Sequence, residues 1–119
     1  MVVDYDKKPE TSPADDEALA RARSAYAAGN QHLFAGETDA AIASYRLALR
    51  AYPNYVAGYR GLGLAYSQQA NSAAAREAFK TYVKLAPSAK DVALITKRIE
   101  RLSSALGVSD SKVATTRRK

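Results

Sequence analysis

The chain of 119 residues reads as all-α, a right-handed α-solenoid of stacked antiparallel helix pairs with five helices. Three observations predict this. Alanine dominates the apolar residues, Cys and Trp are absent and β-branched runs are few, a composition that leans towards helix. Apolar residues recur three and four apart between well-marked helix starts and stops, the amphipathic pattern. A set of residues also recurs at one fixed offset of 34, a period that marks a stack of repeated helix pairs.

Residues 1–12 lack apolar periodicity and are expected to be a disordered leader. The first helix then opens on a full set of start signals. Ser12 can cap it, Pro13 suits its first position, and Asp15, Asp16 and Glu17 favour the positive end of its dipole. It should continue through Ala22, Ala25 and Gly29 to about Phe34, where Gly36 supplies the left-handed residue that stops it. Thr38 would cap a second helix carrying Ala41, Ile42, Tyr45, Ala48 and Leu49 on one face, broken by Pro53 and Asn54. A third helix is expected from about Tyr55 to Gln69, a turn at Asn71-Ser72, and a fourth helix from about Ala73 to Leu85, ended by Pro87. Ser88 and Asp91 have the spacing of a capping box. They would open a fifth helix bearing Val92, Ile95, Ile99, Leu102 and Leu106, closed by Gly107. Residues 107–119 read as a disordered basic tail.

Laying residues 22–55 over 56–89 places Gly29 on Gly63, Ala41 on Ala75, Tyr45 on Phe79 and Pro53 on Pro87. Arg46 falls on Lys80, Leu49 on Val83 and Arg50 on Lys84. Each match has a mechanical reason. The glycines and alanines let paired helices approach, the aromatics fill the space between pairs, and the prolines turn the chain out of each second helix.

The second repeat reads Tyr59-x2-Leu62-Gly63-x2-Tyr66, then Ala75-x3-Phe79, then Pro87. It resembles the tetratricopeptide repeat signature at each of these positions, with Tyr59 in place of the usual Trp. The first repeat keeps Gly29, Gly36, Ala41, Tyr45, Ala48 and Pro53, but has Ala25, Ala28 and His32 where larger residues are usual. The second has Tyr82 where a small Ala is common. The resemblance implies a domain over residues 13–106, with repeats at about 22–55 and 56–89 and a capping helix at about 89–106. Two repeats fall short of the three usually needed for a stable array. The long first helix and the fifth helix would supply the missing burial, unless the chain is excised from a longer array or self-associates.

The resemblance further implies a concave face lined by the first helix of each pair, where a peptide or helix of another protein is gripped. Carried over by repeat position, the partner-binding residues are Tyr26, Asn30 and Leu33, then Arg60, Leu64 and Ser67. One branch of the family captures the C-terminal carboxylate of chaperones with a clamp of Lys, Asn and Arg. Here only Asn30 matches that clamp, while Tyr26 replaces a Lys and Gly61 an Asn, so chaperone-tail capture is not expected.

The formal net charge is +6, unevenly spread. Residues 1–20 hold six acids and two bases, whereas residues 21–86 and 87–119 each hold eight bases and three acids. A basic body with an acidic leader would attract an acidic partner, or the leader would fold back on the body. Arg46, Arg50, Arg76, Lys80 and Lys84 form a possible basic patch on the convex side. A solvated surface is the favoured reading of it, with docking of an acidic polymer or nucleic acid as the alternative. Arg117-Arg118-Lys119 is too brief to specify nucleic acid, and no aromatic interleaves with it for base stacking.

No sequence motif for a metal site, a phosphate loop or a nucleophile elbow occurs. His32, the only histidine, is expected to pack. An enzyme, a metal and a cofactor are therefore not expected. No apolar run reaches the ~18–20 residues that cross a bilayer, and the N-terminus lacks a secretory pattern. A cytoplasmic, non-catalytic interaction module is the expected function. The Ala- and Arg-rich composition suggests a bacterial source, as a free-standing protein or the C-terminal part of a larger signalling or secretion protein. The alternative is a weak homodimer or scaffold joined through Leu19, Ala22 and Tyr26 at the open end of the first helix.

Overall fold

The computed structural model describes residues 12–108. Over them the chain forms five helices, α1 (Pro13–Phe34), α2 (Thr38–Ala51), α3 (Ala57–Gln68), α4 (Ser72–Leu85) and α5 (Val92–Leu106), and no strand. The expected leader and tail lie outside the described residues, apart from Ser12, Gly107 and Val108.

Helix ends follow local chemistry. Ser12 and Asp15 form a reciprocal capping box at α1, with the Asp15 N–H donating to Ser12 Oγ at 3.1 Å and Pro13 in the first position. Asn71 Oδ1 accepts from the Ala74 N–H at 3.2 Å and caps α4. Thr38, by contrast, is already helical, and its hydroxyl donates across to the Gln68 side chain. Helix α3 starts two residues later than the periodicity suggests. Tyr55 and Val56 sit in a tight turn instead, with the Tyr55 N–H on the Tyr52 carbonyl at 2.9 Å.

The Ser88/Asp91 capping box does not form. Helix α5 begins at Val92 without a side-chain cap, because the Asp91 carboxylate is engaged by Arg60 and Tyr82 from two other helices. A charged hydrogen bond over this distance in sequence outweighs a local cap.

Three helices stop in the same way, with a left-handed residue and an N–H bonded back to the carbonyl five positions earlier. At α1 the residue is Gly36 (φ +81°) and at α5 it is Gly107 (φ +74°), but at α3 it is Ala70 (φ +65°). The Asn71 N–H closes that last turn on the Tyr66 carbonyl at 2.9 Å. An L-residue in this conformation costs about 1 kcal/mol that glycine does not. Ala70→Gly should therefore raise the urea midpoint by an amount equivalent to up to about 1 kcal/mol, at unchanged slope.

Helices α1–α2 and α3–α4 pair, α2 packs on α3, α4 on α5, and α1 also touches α3. Small residues set the spacing: Ala22, Ala41, Ala48, Ala65 and Ala75 are fully buried. Between them stand two buried rings. Tyr45 of α2 is wedged between α1 and α3, where a methyl group added at Gly29 or Gly61 would lie 2.7 or 2.5 Å from its ring. Phe79 of α4 repeats the arrangement one period later, pressed against Gly63 and packed with Ile95 and Ile99 of α5. The core is thus a row of aromatic wedges seated on glycine.

Candidate partner-binding site

The six residues expected to contact a partner lie on α1 and α3, the two first helices of the pairs. Two of them, Tyr26 and Asn30, meet at Tyr45 of α2, and a third, Arg60, acts on it electrostatically. Tyr26 packs against Tyr45 and Tyr55, with ring centroids 5.7 and 5.4 Å apart. Asn30 Oδ1 accepts from Tyr45 Oη at 2.6 Å. Burial first, then the neighbouring Tyr26, push the Tyr45 hydroxyl up to about 12, with Arg60 opposing. It therefore remains a hydrogen-bond donor to Asn30 across the physiological range.

Arg60 extends this polar line to the start of α5. Its Nε donates to Asp91 Oδ2 at 2.5 Å, and Tyr82 Oη donates to Asp91 Oδ1 at 2.7 Å. These two hydrogen bonds, Arg60 first, hold the Asp91 carboxyl below its ordinary value. A carboxyl depressed in the folded state contributes stability above its unfolded value of 3.8, lost as the pH falls through the lower folded value. Asp91→Asn should accordingly lower the thermal midpoint at pH 6, and the gap from the parent should close in acid well below pH 3.8. A gap that persists in acid would contradict this account.

The other three expected residues separate. Leu33 packs on the cluster around Tyr45 and Leu62, and Leu64 on the cluster around Phe79. Ser67 opens onto a recess shared with Arg98, Arg101 and Leu102 of α5. The Arg98 guanidinium carbon lies over the buried Phe79 ring, 5.9 Å from its centroid, at the edge of the same recess. Phe34, at the end of α1 beside Leu33, is 97% exposed.

Arg98 and Arg101 were legible in principle. Three series in steps of 34 run Tyr26, Arg60, Leu94; Asn30, Leu64, Arg98; and Leu33, Ser67, Arg101. Helix α5, expected as a capping helix, therefore also carries the register of a third first-helix. Asp91 left no periodic signal, because its partners Arg60 and Tyr82 are fixed only by folding.

The five basic residues of the expected second patch are differently employed. Arg46 donates to Tyr66 Oη at 2.5 Å and lies over that ring. Arg76, with its side chain only 13% exposed, donates to Ser103 Oγ at 2.7 Å and pairs with Glu77. Arg50 edges a groove on the outer side of α1 and α2, and Lys80 and Lys84 are exposed. At the expected open end of α1, Ala22 is fully buried and Tyr26 half-buried, because Ala48, Tyr52 and Tyr55 pack against them. The open side of that helix is instead the one bearing Arg21, Ser24 and Ala28.

His32 is half-buried and its Nδ1 lies 2.7 Å from Glu37 Oε1. Among the described residues there is no cluster of three or more His, Cys, Asp and Glu that could hold a metal. No helix among them is long and apolar enough to cross a membrane.

The helix-pair register and its glycine-seated rings agree with comparison to known families, where the tetratricopeptide repeat model matches residues 22–55 and 59–88. The chain belongs to the tetratricopeptide repeat family. Tetratricopeptide repeats generally mediate protein–protein interaction and are typically non-catalytic. The second match starts three residues later than the period places the repeat. No curated protein and no solved structure matches the chain significantly.

Proposed function

We propose that this tetratricopeptide protein binds a peptide or helix of another protein along the face formed by α1, α3 and α5. One observation carries the reading. Tyr26, Asn30, Arg60, Leu64 and Ser67 continue at the same period into Leu94, Arg98 and Arg101, so one face combines aromatic, apolar and cationic side chains. Such a set suits a segment held by side-chain hydrogen bonds and apolar contact. The two arginines beside Ser67 favour an acidic segment at that end. Phe34 offers an exposed aromatic anchor at the other.

Tyr26 and Arg60 are poor positions for a test, since each also supports packing or the Arg60–Asp91 pair. Photo-crosslinking amino acids at Ser67 and, on the opposite helix layer, at Lys84 separate binding from folding. Partner capture from Ser67, weakened by Arg98→Glu and Arg101→Glu together, is the expected result. Capture from Lys84 alone would sink the reading in favour of the basic patch on α4.

A further inference from the structure

Ala25 and Ala28 stand one period before Tyr59 and Leu62. Leu62 is buried against Ile42 and Tyr45 of α2, so that face of α3 is covered by the helix before it. The position of α1 that corresponds to Leu62, Ala28, has no preceding helix of described residues to cover it. This side of α1 forms a groove with α2, floored by Ala25, Ala28, Leu47 and Ala51 and edged by Arg21 of α1 and Arg50 of α2. Leu47 is 51% exposed, and neither Arg21 nor Arg50 makes an ion pair with a described residue.

The groove has a direction. Gly29 lies against Tyr45, and Ala22 and Ala25 cluster with Ala48, so α1 and α2 run antiparallel. Arg21 and Arg50 therefore lie at the end nearer Ser12, while Ala28 and Leu47 lie further along.

We propose that residues 2–6 of this chain, Val2-Val3-Asp4-Tyr5-Asp6, dock in this groove. Moving away from Ser12, the segment presents acids first and apolar residues last, the same order as the groove. It also reaches. At ~1.5 Å per helical residue, Arg21 lies about 14 Å and Ala28 about 24 Å from Ser12 along α1. At up to ~3.4 Å per extended residue, Asp6 can lie about 20 Å and Val2 about 34 Å from Ser12. The segment can thus turn back and run along α1 with length to spare.

Charge selects this occupant over a second copy. A copy placed groove to groove would set Arg21 and Arg50 against the same two cations. A copy offering the outer side of α5 would bring Lys97 and Arg101 with only Glu100 to offset them. Both arrangements set a net positive charge against the groove, whereas Asp4 and Asp6 bring two carboxylates to two guanidinium groups that make no ion pair with a described residue.

The chain has no cysteine, so Val2→Cys accepts a single nitroxide label on the full chain. In dilute solution the amide signals of Ala25, Ala28, Leu47 and Ala51 should be lost to paramagnetic broadening, while those of α4 keep their intensity. Asp4→Lys with Asp6→Lys, or Arg21→Glu with Arg50→Glu, should restore the lost signals at unchanged helical circular dichroism. Broadening spread evenly over the surface, or none, overturns the proposal. So does broadening that passes from labelled chains to unlabelled, isotope-enriched chains in a mixture, since a second copy then fills the groove.

Discussion

Phe79→Ala is expected to remove about 3–5 kcal/mol of stability, the range for deleting a buried ring. The ring is fully buried between α3, α4 and α5, against Gly63, Ala75, Ile95 and Ile99. Two features keep the loss at the upper end. Gly63 has no side chain to move into the space, and Ala75 is already the smallest residue that packs there. The vacancy therefore cannot close without shifting whole helices, and voids that persist are the costly ones. Urea unfolding followed by circular dichroism would measure it. A loss below about 1 kcal/mol would show that α5 collapses onto α4 and that the ring is not a wedge.

Gly61→Ala is the second large effect, and its sign is the informative part. In an isolated helix alanine is favoured over glycine by about 1 kcal/mol. Here the added methyl would sit 2.5 Å from the Tyr45 ring, which is fully buried and tied at its hydroxyl to Asn30. The ring cannot swing away without losing that hydrogen bond, so overpacking of about 1–3 kcal/mol should win. A double-mutant cycle with Tyr45→Leu isolates the clash, because the same methyl should be tolerated once the ring is gone. If Gly61→Ala stabilises the parent protein, the α2–α3 contact is looser than the structure shows.

Most of the fold could be read from residue order. Ser12-Pro13, Gly36, Asn71 and Gly107 mark helix ends through local chemistry, and the 34-residue offset fixes which faces meet. Three features could not be read so directly. The Ser88/Asp91 spacing promises a cap, yet Asp91 serves Arg60 and Tyr82, partners separated from it by 31 and 9 positions. Ala70 takes a left-handed conformation that alanine does not advertise. Gly61 breaks the repeat, since its counterpart one period earlier is Ala27, and only the position of the Tyr45 ring gives it a purpose. On the candidate face, the period located positions but not contacts. It placed Tyr26, Asn30 and Arg60 on first helices, while the contacts of Tyr26 and Asn30 with Tyr45 depend on a side chain from the other layer.

Because Tyr45 is grown on α2 but seated on both α1 and α3, neither helix pair owns a private interior. Cutting the chain between the pairs would strip each half of part of its lining at once. The described residues should melt in a single step, with slowest amide exchange at the shared seam near Ala41–Tyr45 and Gly61–Ala65 rather than at the middle of either pair. Excising one motif for use elsewhere would therefore require a substitute for its neighbour's glycine surface.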